Sequence, residues 1–164
     1  MSRFLRKRRK TKGLPPGSLV SVGKRTQEPL EITLVNYTKE KFTEKKASNL
    51  SECIKSAENK SLTTWIDITG LADKEVMKDI GERFGIHALW LEDVLNTDHR
   101  PKVEELDNLM FMIMKIPSVD KEKADRVAFE QISIFLGGSF VISFQENSSD
   151  TFYLIRDRIN KGLG

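Results

Sequence analysis

At 164 residues, 38% hydrophobic and 31% charged, the chain suits one soluble globular domain able to bury about two-thirds of its unfolded surface. Its longest apolar run, Leu109 to Met114, is far below the roughly 18 residues of a bilayer span. No apolar stretch of signal-peptide length follows the basic N-terminus, so export is not expected either. The net charge of +3 is uneven, because seven of the 27 basic residues lie in the first twelve positions and the other 20 face 24 acids.

Residues 1–12, with Arg3, Arg6, Lys7, Arg8, Arg9, Lys10 and Lys12, read as a basic disordered tail. A solvated terminus is preferred there to an element that binds nucleic acid or anionic lipid. Residues 13–164 read as the folded part. Gly13-Leu14-Pro15-Pro16-Gly17 is turn material, and Ser18 to Val22 is expected to be a short strand. Gly23 and Pro29 bracket a polar connection to Leu30–Tyr37, where Leu30, Ile32 and Leu34 alternate with polar partners as in a half-buried strand.

Asn49 followed by Glu52 resembles a capping box and opens a helix through Ala57, with Leu50, Cys53, Ile54 and Ala57 at helical spacing. The lone cysteine, Cys53, excludes an internal disulfide and reads as a small core residue. Leu62 to Thr69 is a strand rich in β-branched and aromatic residues that ends at Gly70. Its Asp67 is expected on an exposed face or bonded to a neighbouring loop. Trp65, among β-branched neighbours, is expected to be buried. Asp73 caps the next helix, where Val76, Ile80 and Phe84 follow at i, i+4, i+8 and Gly85 stops it.

A second helix opens near His87. At about 100° per residue Leu91, Val94 and Leu95 share an apolar face, Glu92 lies at its edge and Asp93 nearly opposite. Two adjacent carboxylates therefore point different ways, each open to a partner from another segment or subunit. Beyond it, Val103–Leu106, Asp107-Asn108 and Leu109–Ile116 read as a hairpin with a two-residue turn. Pro117 leads into a charged loop, Asp120 to Asp125. Val127–Phe129 and Ile132–Leu136 follow, with a phase slip across Glu130-Gln131 that suggests a β-bulge. Gly137-Gly138 turns the chain into a strand from Ser139 to Gln145, and Asp150 is expected to cap a last helix with Phe152, Ile155 and Ile159 on one side. The pattern predicts an α/β fold on a mixed sheet of about seven strands, with helices starting near Asn49, Asp73, His87 and Asp150.

No Gly-rich phosphate loop, nucleophile elbow or Cys/His zinc spacing is present, so an enzyme is not expected. His87 and His99 flank the acidic helix, but their helical phases differ, which favours a cap or surface role over a joint metal site with Asp93 and Asp98. Met110, Met112 and Met114 alternate along a strand, as sheet-face packing does. Glu92 and Asp93 are the ligand type that Mg²⁺ prefers, one or two carboxylates beside retained waters. On spacing alone, a solvated helix face is the preferred explanation.

Several stretches taken together resemble the cytoplasmic N-terminal domain of the CorA-type magnesium and cobalt transport proteins. They are Gly13-Leu14-Pro15-Pro16-Gly17-Ser18-Leu19-Val20, Thr64-Trp65-Ile66-Asp67-Ile68-Thr69-Gly70, Phe84-Gly85-Ile86-His87, Leu91-Glu92-Asp93-Val94-Leu95-Asn96 and Arg100-Pro101-Lys102-Val103-Glu104. Glu130-Gln131-Ile132-Ser133 and Phe144-Gln145-Glu146 add to them. The resemblance implies an α/β/α sandwich with helices on both faces of the mixed sheet. It further implies a homopentameric transporter at the cytoplasmic face of the cell membrane, in which residues 13–164 form the regulatory domain. The family's stalk and membrane helices, with the Gly-Met-Asn pore signature, have no counterpart in these residues, so any membrane contact would come through C-terminal helices outside them.

In the family, carboxylates matching Asp93 and Glu92 lie between neighbouring subunits, where Mg²⁺ bridges them to an aspartate of the adjacent stalk. The resemblance thus implies a Mg²⁺ site at Asp93 and Glu92, filled when Mg²⁺ is abundant and closing the pore. Other members carry a histidine at the place of Asp98, so Asp98 is only an auxiliary candidate. The separate domain is expected to be monomeric or weakly associated and to hold Mg²⁺ weakly, around millimolar. A zinc-type transporter domain of the same fold is the alternative within the superfamily, and a soluble nucleic-acid-binding module the alternative outside it, although no nucleic acid is expected as a partner.

Overall fold

The computed structural model describes residues 13, 15–20, 29–71, 73–119, 127–147 and 151–163. Among them, seven strands form one sheet: β1 Glu31–Tyr37, β2 Phe42–Lys46, β3 Thr63–Thr69, β4 Lys102–Leu106, β5 Leu109–Val119, β6 Val127–Leu136 and β7 Phe140–Gln145. Four helices accompany them: α1 Leu50–Glu58, α2 Lys74–Phe84, α3 Ala88–Leu95 and α4 Tyr153–Asn160. The strand order is β2-β1-β3-β7-β6-β5-β4. Only β3 and β7 pair in parallel; every other neighbour is antiparallel.

Alternation along the strands divides the core into two layers. On one face Ile32, Leu34, Ile66, Ile68, Phe111, Ile113, Phe135, Ile142 and Phe144 pack with Cys53, Met77, Ile80, Trp90, Leu91, Val94 and Leu95 from α1, α2 and α3. On the other, Val35, Trp65 and Ile132 meet Phe152, with Ile159 of α4 packed against them. Helices therefore cover both faces, as expected, and Trp65 is buried. Asn49 and Asp73 cap α1 and α2 by accepting backbone N–H bonds. Gly85, at φ 67°, ends α2 in the left-handed conformation that glycine adopts without strain. α3 then folds back so closely that a Cβ on Gly81 would stand 2.6 Å from Leu91 Cδ1.

Four expectations need correction. Residues 18–20 are not in a strand, and residues 21 and 22 lie outside the described ones. The seventh strand is instead β2, a polar edge strand paired with β1 from Thr33↔Lys46 to Tyr37↔Phe42. The β5–β6 register runs unbroken from Met110↔Leu136 to Val119↔Val127, so there is no bulge at Glu130-Gln131. The apolar phase slips there because both faces of this inner strand are covered, with Ile132 buried in one layer and Phe135 in the other. β5 continues through Pro117, which lies beyond the reach of β4 and needs no donor on that side.

Asp67 is the fourth. Its carboxylate is buried and accepts from Ser143 Oγ and from Gln145 Nε2, the latter at 2.9 Å to both oxygens, with the Arg156 guanidinium of α4 3.6 Å away. Asp150 lies outside the described residues; the residue at the start of α4 is Phe152, which makes no side-chain cap bond. The basic segment 1–12 also lies outside them.

Candidate functional site

α3 is short and its apolar stripe is wide: Trp90, Leu91, Val94 and Leu95 are all buried. Burial of each such side chain contributes about 1.5–3 kcal/mol, which fixes the helix's rotation and leaves Glu92 and Asp93 on its flanks. His87 caps the start, its Nδ1 accepting from the Leu89 N–H, a cap role as expected. At the other end Gln131 Nε2 donates to the carbonyls of Asp93 and Val94, at 3.1 and 3.2 Å. Lys115 Nζ donates to the Thr97 carbonyl at 2.6 Å. The carbonyls a helix end leaves unpaired are thus held by the sheet, and Asp93 sits on a rigid mount.

The two carboxylates do diverge. Glu92 Oε2 accepts the backbone N–H of Gly17 at 2.8 Å, tying the segment before β1 to α3. Asp93 points towards β4, where Lys102 Nζ lies 2.7 Å from its Oδ2 and His99 Nε2 3.3 Å from its Oδ1. Lys102 also reaches Glu104 Oε1 at 2.9 Å, one pleat along the same face of β4, and stands 5.1 Å above the Phe111 ring. Trp90 Nε1 donates to Glu104 Oε2 at 2.6 Å. Asp98 is exposed in the turn that follows α3.

Electrostatics reinforce this arrangement. Burial alone would lower the Lys102 pKa, but hydrogen bonds and charge from Asp93 and Glu104 outweigh it and raise the group above its ordinary value. The hydrogen bond from Lys102 leads the causes that hold Glu104 below the usual carboxylate range. The ammonium is therefore firmly charged and shared between two acids. Lys102, Glu104 and Trp90 are the members of this cluster that reading the sequence missed, while His99, expected as a cap or surface residue, joins them at Asp93 Oδ1. Their one signal was the i, i+2 spacing of Lys102 and Glu104, which places both on one face of a strand.

A cation such as Mg²⁺ takes oxygen ligands in near-octahedral geometry. Among the described residues, no three or more His, Cys, Asp or Glu side chains stand together as a metal cluster. Asp93 has both oxygens engaged by side chains of its own chain, Lys102 and His99, and Glu92 spends one on Gly17. A single copy fits at most part of a divalent-cation site.

The fold is one seen in other solved structures. The soluble domain of CorA from Methanocaldococcus jannaschii matches with a TM-score of 0.54 at 15% identity, over 79% of this chain and 46% of that one. The cytoplasmic domain of ZntB from Vibrio parahaemolyticus gives 0.54 at 13% identity, over 81% and 51%. Sequence goes further than fold: the model of the CorA-like Mg²⁺ transporter protein family matches residues 61–164. The Cobalt/magnesium transport protein CorA of Thermotoga maritima is 42% identical over 154 residues, which is 93% of this chain and 43% of that relative. The chain belongs to the CorA-like Mg²⁺ transporter family, and spans less than half the length of that relative. No helix among the described residues is long and apolar enough to cross a membrane.

Proposed function

We propose that residues 13–164 form the cytoplasmic regulatory domain of a magnesium transporter, in which Asp93, assisted by Glu92, offers carboxylate oxygens at an interface between copies of the chain. The observation that carries this reading is Asp93 itself. Its side chain is 24% exposed, held on a helix whose rotation is fixed by four buried residues and whose end is bonded to the sheet. It contributes little to the core, yet its position is closely defined, as a ligand must be. Kinship to a relative named for cobalt and magnesium transport supplies the cation class.

In this reading five copies assemble around the pore, and Asp93 of one copy faces an acid of the next. When bound, Mg²⁺ supplies the positive charge that lets two acids approach. The chain's own contribution is to orient Asp93 through α3, to keep Glu92 close by on the Gly17 amide, and to repel the facing acid when the cation is scarce. Closure is then a shift in population set by differential binding. Asp98 is an auxiliary oxygen at most.

The test is limited proteolysis of the longer transporter across a Mg²⁺ titration. Mg²⁺ is expected to protect the parent, and Asp93→Ala to need far more of it. Equal protection of both would remove Asp93 from the regulatory role.

A further inference from the structure

We infer that Lys102 is a tethered counter-cation that competes with a divalent ion for Asp93 and thereby sets the concentration at which the site fills. This rests on the reading of Asp93 as a cation ligand, and concerns what stands in its way within the same chain. The ammonium lies 2.7 Å from Asp93 Oδ2, where a metal bound through that oxygen would need room. Two positive centres cannot share one lone-pair direction at that distance without strong repulsion. Occupation of Asp93 through Oδ2 therefore requires Lys102 to withdraw.

The surroundings make withdrawal easy. Lys102 has a second acceptor in Glu104 Oε1 at 2.9 Å, and Trp90 Nε1 holds that carboxylate in place through its other oxygen. Pro101 and the β4–β5 register, which pairs Lys102 with Ile113, fix the backbone from which the side chain swings. An ammonium leaving Asp93 thus keeps one full ion pair and its seat over Phe111, and never becomes a buried unpaired charge. His99 at Oδ1 leaves that oxygen less strongly engaged, 3.3 Å away. The cluster is a two-position exchanger: Lys102 on Asp93 and Glu104 together, or on Glu104 alone while Asp93 turns outward.

The experiment uses this chain, labelled with ¹³C and ¹⁵N and titrated with MgCl₂ against NaCl at matched ionic strength. The Asp93 carboxyl carbon and the Lys102 Nζ are followed by NMR, with amide spectra reporting the fold. Removing the competitor in Lys102→Met should lower the apparent Kd for Mg²⁺ at Asp93 by roughly 1.5- to fivefold, the range a partly exposed ion pair spans. Lys102→Gln should do the same if the methionine variant misfolds, whereas Lys102→Arg should stay near the parent. In the parent, the Lys102 and Asp93 signals should move with one midpoint. Equal or weaker binding in both neutral variants would overturn the role of Lys102 and leave Asp93 as a ligand. Mg²⁺-induced shifts that bypass Asp93 in parent and variants alike would overturn the underlying reading instead.

Discussion

Replacing Arg156 by leucine isolates what an ion pair contributes to seating α4 on the sheet. No residue of this helix is fully buried. Its hold comes from Phe152, edge-on to Trp65 at 5.2 Å, from Ile159, and from Arg156, whose side chain is 11% exposed and reaches Glu44 at 3.0 Å and Asp67 at 3.6 Å. Removing one member of a buried pair typically costs about 3–5 kcal/mol, because the other charge is stranded. Here the stranding is partial. Asp67 keeps Ser143 and Gln145 as donors, and Glu44, with 38% of its side chain exposed, regains water. The cost should therefore be about 2–3 kcal/mol, a fall in Tm of roughly 4–12 °C for a chain of this size. Urea unfolding followed by tryptophan fluorescence measures it, and a cycle with Asp67→Asn gives the coupling. A loss under about 0.5 kcal/mol, or no coupling to Asp67, would show that apolar contacts alone seat the helix.

Three further outcomes are expected. Glu92→Ala should speed amide exchange at Gly17 by roughly tenfold, the worth of one hydrogen bond to a charged acceptor; unchanged exchange would mean that other contacts hold that turn. Burial pushes the Cys53 thiol up to about 11, so a disulfide reagent at pH 8 should react only as the domain unfolds, and rapid reaction in the native state would contradict its place in the core. The lowered Glu104 carboxyl contributes stability that is full above the unfolded glutamate value of about 4.3 and lost as pH falls through its folded value. The raised Lys102 contributes stability present below about 10.4 and lost as pH rises through its folded value. Both pairings are partly exposed, so each is worth under about 1 kcal/mol; urea midpoints between pH 3 and 6 for parent and Glu104→Gln should diverge, and coincident curves would refute the assignment.

What the sequence disclosed followed from local chemistry. The starts of α1, α2 and α3 were legible because Asn49, Asp73 and His87 satisfy helix donors within a few residues of themselves. The turn at Asp107-Asn108 was legible because so few residues tolerate φ of 53°, as Asp107 does. β2 was hidden because Phe42–Lys46 is an edge strand with four exposed residues and no apolar face to alternate. Residues 18–20 looked like a strand, yet Leu19 packs on the core while Gly17 is anchored to Glu92.

The candidate site divides in the same way. That Asp93 stands off the apolar face of α3 is a property of one helix and was readable from spacing. Its union with Lys102 depends on how α3 packs against β4, across a turn and a proline, which no local pattern encodes. Asp67 was misjudged for the same reason: its donors Ser143 and Gln145 sit on β7, 76 and 78 positions further on, and adjoin it only through the parallel β3–β7 pairing.

The central claim, that Asp93 is a ligand at an interface between copies, is tested most directly by crystals of the longer transporter grown with Co²⁺, using anomalous scattering to locate the ion. The account predicts a peak beside Asp93 and an acid of a neighbouring copy, with Lys102 withdrawn onto Glu104. Anomalous peaks elsewhere, with Lys102 still 2.7 Å from Asp93 in every copy, would contradict it.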